Sequence, residues 1–167
     1  QSDLYDMGFA QSDEVGDEII AEAVWGDPLM VAIPALHPLL KHKRIPLDEV
    51  LRFPLVLGDP HVCQGYARQI DRLLRRLDQE PLVAERVASF DLMMALVSAG
   101  FALGLAGASQ FATCRETGIV ARPLAGSPPT LTTYLLRPGA STSETLSRFI
   151  ALANSIESPD DNKPAPL

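Results

Sequence analysis

Residues 89–107 read SFDLMMALVSAGFALGLAG, and the architecture of the chain follows from how this stretch folds. Ser89 suits a helix N-cap, because its hydroxyl can accept from one of the first backbone amides that a helix leaves unpaired. Leu92, Met93, Leu96 and Val97 recur at the spacing of one helical face. Gly100 falls where a helix ends in a left-handed residue. An apolar run at 101–105 follows at once, and another at 83–88 precedes the helix. Strand, short helix, glycine and strand make a compact parallel crossover, whose strands read as nearly continuous apolar runs. The helix is too short and too apolar to do much except pack. Its N-terminus, however, offers free amides and partial positive charge beyond the preceding strand.

The chain has 167 residues, enough for one domain or two small lobes burying about 70 % of the unfolded surface. A content of 47 % hydrophobic and 21 % charged residues is ordinary for a globular protein. The net charge of −7 argues against this segment gripping a phosphate backbone by itself. Two cysteines, Cys63 and Cys114, make no disulfide framework and fit a reduced, cytoplasmic setting. No apolar run has the length of a membrane span, and the acidic, polar opening is unlike a signal peptide.

Along the chain, 4–10 reads as a strand and 11–18 as an acidic loop. Residues 19–25 and 29–33 are two further strands, with Gly26-Asp27-Pro28 as the turn between them. Pro34 and Pro38 stop regular structure, Lys41-His42-Lys43-Arg44 is a solvated basic loop, and Pro46 opens a short helix at 47–51. A buried strand at 54–57 ends in Gly58-Asp59-Pro60. Helix 64–79 then carries Tyr66, Ile70, Leu73, Leu74 and Leu77 as its apolar stripe. Arg68, Arg72, Arg75 and Arg76 lie on its other side, where Asp71 can pair with Arg75 one turn on. That arginine face reads as solvated or subunit-facing rather than as a nucleic-acid grip. After the crossover come a helix at 110–116 and strands at 119–124 and 131–136. A last helix, capped by Ser141 or Ser143, has Leu146, Phe149, Ile150 and Ala153 along one side. Residues 158–167 read as a disordered tail. Such alternation predicts an α/β domain.

These residues, taken in order, resemble a family. Gly8-Phe9 within DLYDMGFA is similar to the D-L-x-[IF] strand of the effector-binding domains of LysR-type transcriptional regulators. His37-Pro38-Leu39 with Ile45-Pro46-Leu47 resembles the family's link between lobes. The run from Val97 to Gly104 resembles its V-x-A-G-x-G crossover, and 120–124 and 133–138 its return strands. Two departures stand out: Ala102 replaces a common glycine, and Leu105-Ala106-Gly107 replaces a common Leu-Pro. The resemblance implies an α/β fold of the two-lobed, type 2 periplasmic-binding-protein kind. It would be N-terminally incomplete, with residues 1–53 and 107–157 as a partial lobe one and 54–106 as lobe two. It also implies no catalysis, no cofactor, a homo-oligomer, and DNA contact only through a helix-turn-helix absent from this chain.

In open α/β sheets ligands bind beyond the carboxyl ends of the strands, near helix N-termini. Two such corners are legible: Gly58, Asp59, His61, Cys63 and Gln64 before the arginine-bearing helix, and Ser89, Phe90 and Asp91 at the crossover helix. Gln11 and Ser12, from lobe one, would face them. Hydroxyls, amides and free N–H groups suit a small effector with an anionic group. The plainer reading is that Ser89 only caps and Gly58-Asp59-Pro60 only turns. Cys63 would be activated if it sat at a helix N-terminus beside His61, which makes a redox sensor an alternative; a packing thiol is simpler. A solute-binding module of the same fold, unconnected to transcription, is another. No metal-ligand spacing, nucleophile elbow or phosphate-binding glycine loop is present.

Overall fold

A computed structural model describes residues 8–11, 13, 16, 19–63, 66–138, 148, 151 and 152. Its elements run β1 (Gly8–Ala10), β2 (Ile19–Pro34), a 3₁₀ turn (Pro38–Lys41), α1 (Leu47–Val50), β3 (Leu55–Gly58), α2 (Ala67–Arg75), β4 (Val83–Val87), α3 (Phe90–Ser98), β5 (Leu103–Gly107), α4 (Ala108–Ala112), β6 (Ile119–Pro123) and β7 (Thr130–Pro138). The chain divides into two compact units, residues 1–25 with 132–167, and residues 26–131. Residues 26–53 and 107–131 fall in the same unit as 54–106. The reason is packing: 26–53 and 107–131 supply Leu29, Val31, Ile33, Leu39, Ile45 and Leu124 to the same core as Leu55, Leu57 and Leu103.

In the first unit β1 pairs antiparallel with β7, Gly8 opposite Leu136 and Ala10 opposite Tyr134. Strand β7 lies between β1 and β2. Phe9 stacks on Trp25 with ring centroids 4.9 Å apart. The last-helix expectation falls almost wholly outside the described residues.

The larger unit is built on a mixed sheet. Strand β5 lies between β2, to which it is antiparallel, and β3, to which it is parallel; β4 is parallel to β3 and forms the edge, and β6 pairs with β2. The period of two in a strand sends alternate side chains to opposite faces. Val31, Ile33, Leu55, Leu57, Leu103 and Leu105 meet Tyr66, Ile70 and Leu74 from the α2 side. Ala32 and Val56 meet Met93, Met94 and Val97 of α3 on the other. Both faces are covered, which is why these strands are apolar throughout.

The crossover forms as its residues dictate. Ser89 Oγ accepts from Leu92 N at 3.2 Å, capping α3. At the other end Gly100 has φ +76°. Phe101 N donates to Leu96 O at 3.1 Å and Gly100 N to Val97 O at 2.9 Å, the paired bonds of a Schellman ending. That ending uses Phe101, so β5 starts at Leu103, two residues later than the apolar run implied.

Two further differences have physical reasons. Gly26-Asp27-Pro28 makes no turn, because β2 runs unbroken through it and Asp27 finds partners elsewhere, on α4. Helix α4 spans Ala108–Ala112 rather than 110–116, since it starts directly from the end of β5. Helix α2 spans Ala67–Arg75 within the expected 64–79; Gln64 and Gly65 lie outside the described residues.

Two glycines let β5 be central. A Cβ on Gly104 would meet Met93 Sδ at 3.1 Å and Val97 Cγ2 at 3.2 Å. One on Gly107 would collide with Asp27 Oδ2 and lie 2.9 Å from its Cγ and 3.1 Å from Tyr66 Cε2. Met93 is a flexible chain end and can yield; the Asp27 carboxylate is held. Gly104→Ala should therefore cost about 1–2 kcal/mol of unfolding free energy and Gly107→Ala about 3 kcal/mol or more, as measured by urea denaturation. A second expectation concerns His37, whose Nδ1 accepts from Leu39 N at 3.2 Å and whose ring lies edge-on to Phe53 at 4.6 Å. Burial lowers its pKa below the ordinary 6.5. The unfolded chain then takes up the proton first, so stability falls as pH drops through 6.5. His37→Asn should flatten that part of the melting-temperature profile.

Candidate functional site

Because β3, β4 and β5 are mutually parallel, the segments leaving their carboxyl ends emerge at one end of the sheet. The first two corners adjoin there: Asp59 N donates to Val87 O at 2.9 Å, bringing the start of the 59–63 loop against the residues preceding Ser89.

Asp59 organises its loop. Its Oδ1 accepts from His61 N at 2.8 Å, and its carbonyl accepts from Val62 N at 3.2 Å and Cys63 N at 2.7 Å. Arg68 Nε donates to Pro60 O at 3.0 Å, tying the loop to the first turn of α2. Gly58 is packed closely, with a Cβ there falling 3.1 Å from Ala67 Cβ and 3.3 Å from Cys63 Sγ. A small cavity of about 20 Å³ opens beneath, lined by Gly58, Cys63, Tyr66, Phe90, Met93 and Gln110 among others. That is room for about one water-sized group. Phe90 packs edge-on against Phe111 of α4 at 5.5 Å.

A third corner lies where α4 follows β5, and no local pattern in the sequence marks it. Gly107, as N-cap of α4, has no side chain to offer, and the cap comes from another strand. Asp27, buried on β2, accepts from Ser109 N at 3.0 Å through Oδ1 and from Ser109 Oγ through Oδ2. Gln110 Oε1 reaches back to Gly107 N at 3.3 Å. Tyr66, Met93 and Gln110 also line the cavity, and the sequence marks none of them as a site residue. Their signal was blurred because Tyr66 and Met93 also serve the core stripes of α2 and α3.

Of the expected site residues, Gly58 ends β3, Asp59, His61 and Cys63 share the loop after it, and Ser89 caps the neighbouring helix that Phe90 and Asp91 begin. Gln11 follows β1 in the other unit. Ser12 and Gln64 lie outside the described residues. Cys63 precedes α2 by several residues instead of sitting at its N-terminus, and its thiol is pushed up, first by burial and then by the charge of Asp59. An activated thiolate needs the opposite shift. Among the described residues no three His, Cys, Asp or Glu side chains are grouped to hold a metal ion, and no helix is long and apolar enough to cross a membrane.

Two outcomes test this description. Asp59→Asn should lower the Cys63 pKa and speed its alkylation at pH 8, read by mass spectrometry in a Cys114→Ser background. Ser89→Ala should cost about 1 kcal/mol through loss of the α3 cap, measured by chemical denaturation.

Comparison with known proteins places this geometry. The model of the LysR substrate binding domain matches residues 1–155. The uncharacterized HTH-type transcriptional regulator YnfL of Escherichia coli K12 is 32 % identical over 104 residues, 62 % of this chain and 35 % of that protein. The chain thus spans about a third of that relative's length. Among solved structures, the BenM effector-binding domain with its effector benzoate superposes with a TM-score of 0.79 at 20 % identity, covering 97 % of this chain and 76 % of that one. The QuiR effector-binding domain in complex with shikimate gives 0.69 at 16 % identity, covering 90 % and 70 %. With the family model matched over nearly its whole length, this chain belongs to the LysR substrate-binding domains.

Proposed function

We propose that this chain is the effector-sensing part of a bacterial LysR-type transcriptional regulator. It binds a small molecule at the corner of β3, β4 and β5 and modulates DNA binding by a helix-turn-helix domain elsewhere in the full protein. The observation that carries the reading is the joined corner itself: two strand ends tied by the Asp59–Val87 bond over a small cavity, in a chain of this family. An anionic or polar group of the ligand meets the free amides at the start of α3 beside Ser89 and Asp91, and its apolar part rests against Phe90. Gly58, Asp59, His61 and Cys63 shape the adjoining wall. The cavity admits one small group, so most of the ligand lies over the corner rather than inside it.

Binding changes regulation only if the effector prefers one arrangement of the protein over another. The full regulator acts as a homo-oligomer in the cytoplasm. Benzoate and shikimate, which the related structures hold, are the natural first probes, followed by a panel of small carboxylates and aromatics. In the full-length protein, a true effector at one hundred times its Kd should raise stability by about 2.7 kcal/mol and change the affinity for promoter DNA. Phe90→Ala should abolish that response while the protein remains folded. If no compound in the panel stabilises the protein while its DNA binding is intact, the reading fails. The raised thiol of Cys63 weighs against the redox alternative. A secretion signal in place of an upstream helix-turn-helix would favour the solute-binding one.

A further inference from the structure

Helix α2 has a second polar feature that faces away from the corner. Tyr66, Ala67 and Ile70 line the corner cavity, whereas Asp71, Leu74 and Arg75 line a groove of about 400 Å³ against the edge strand β4. Asp71 is buried, at a position where an amphipathic helix ordinarily carries an apolar residue. Its carboxylate accepts from Arg75 Nη2 at 2.5 Å and from Arg86 Nη2 at 2.7 Å. Arg75 is the local, exposed partner one turn on. Arg86 comes from β4, and its Nη1 lies 3.5 Å from the carbonyl oxygen of Gly58. One guanidinium thus spans a buried carboxylate on α2 and the last residue of β3. The next residue after Arg86, Val87, accepts the bond from Asp59.

From this geometry we infer that Asp71 and Arg86 are positioning residues for the corner, acting from the far side of α2 without touching its ligand. Three elements converge on Arg86. Strand β4 carries it, α2 fixes its charge, and β3 receives its second contact. Gly58 in turn is in tight contact with Cys63 and Ala67, so a shift of its backbone alters the cover over the cavity. Arg86 also blunts the sheet edge, since its own N–H is taken by Glu85 Oε1 at 3.0 Å. The inference rests on the corner being the effector wall, but its test does not need an effector.

Cys63 reports the corner directly. In the full-length protein with Cys114→Ser, the rate of Cys63 modification by iodoacetamide would be measured for Arg86→Met, Arg86→Lys, Asp71→Asn, Arg75→Met and, as a destabilised control in the other unit, Leu135→Ala. Arg86→Met and Asp71→Asn should each raise the rate by roughly fivefold or more, because the thiol is exposed by local opening of its cover. Arg86→Lys should recover part of the protection, and Arg75→Met should stay within about twofold of the parent, as exposed pairs contribute little. Unchanged Cys63 reactivity in Arg86→Met overturns the inference. So does an equal rise in Leu135→Ala, which would show global loosening alone. Since the thiol readout is independent of benzoate or shikimate, a failure of those compounds to bind counts against the proposed function and not against this one.

Discussion

Strand β5 is the constraint on which the larger unit depends. It is buried along its whole length, with β2 on one side, β3 on the other, and helices over both faces. A strand so placed has no room for ordinary side chains at every position. Gly104 admits Met93 and Val97 of α3, and Gly107 admits the Asp27 carboxylate and the Tyr66 ring. The close approach of α3 gives the sheet its second apolar layer. The close approach of Asp27 lets a side chain on β2 cap a helix that follows β5, joining strands that are far apart in sequence.

Satisfying buried polar groups then shapes the site. Among the described residues Asp27 and Asp71 are the buried charged side chains, and a buried carboxylate left without donors would be strongly unfavourable. Each is met by specific partners: Ser109 for Asp27, Arg75 and Arg86 for Asp71. Both pairs tie a helix to a strand near the end where the corner opens. These bonds flank the corner and add to its own Asp59–Val87 bond. Pairs of this kind add less to net stability than their number implies, since desolvation offsets much of the attraction. Their effect is on geometry.

The crossover at 89–107 was the most legible part of the chain. Ser89 and Gly100 act locally, through a hydroxyl that accepts from an amide three residues on and through a left-handed φ, so their roles need no tertiary context. The Gly58 and Ser89 corners were legible for the same reason, because a strand followed by a helix start is a local pattern. Gly26-Asp27-Pro28 misled because turn chemistry is a tendency of side chains to bond nearby backbone. Asp27 had a stronger option on α4, unseen in a linear reading. The Asp71–Arg75 pair was visible at i, i+4, whereas Arg86 was not, since only the fold brings β4 to α2.

By itself, then, the sequence determined the α/β class, the parallel crossover, the caps that start and stop α3, and the resemblance that pointed to the LysR family. All of these follow from short-range bonding and from periodicity. The tertiary structure alone decided where the two units divide, which strand supplies the α4 cap, why β5 carries two glycines, and how Arg86 reaches Gly58. These depend on which segments share a core and on where a buried charge finds its donors, and neither is encoded in the spacing of neighbouring residues.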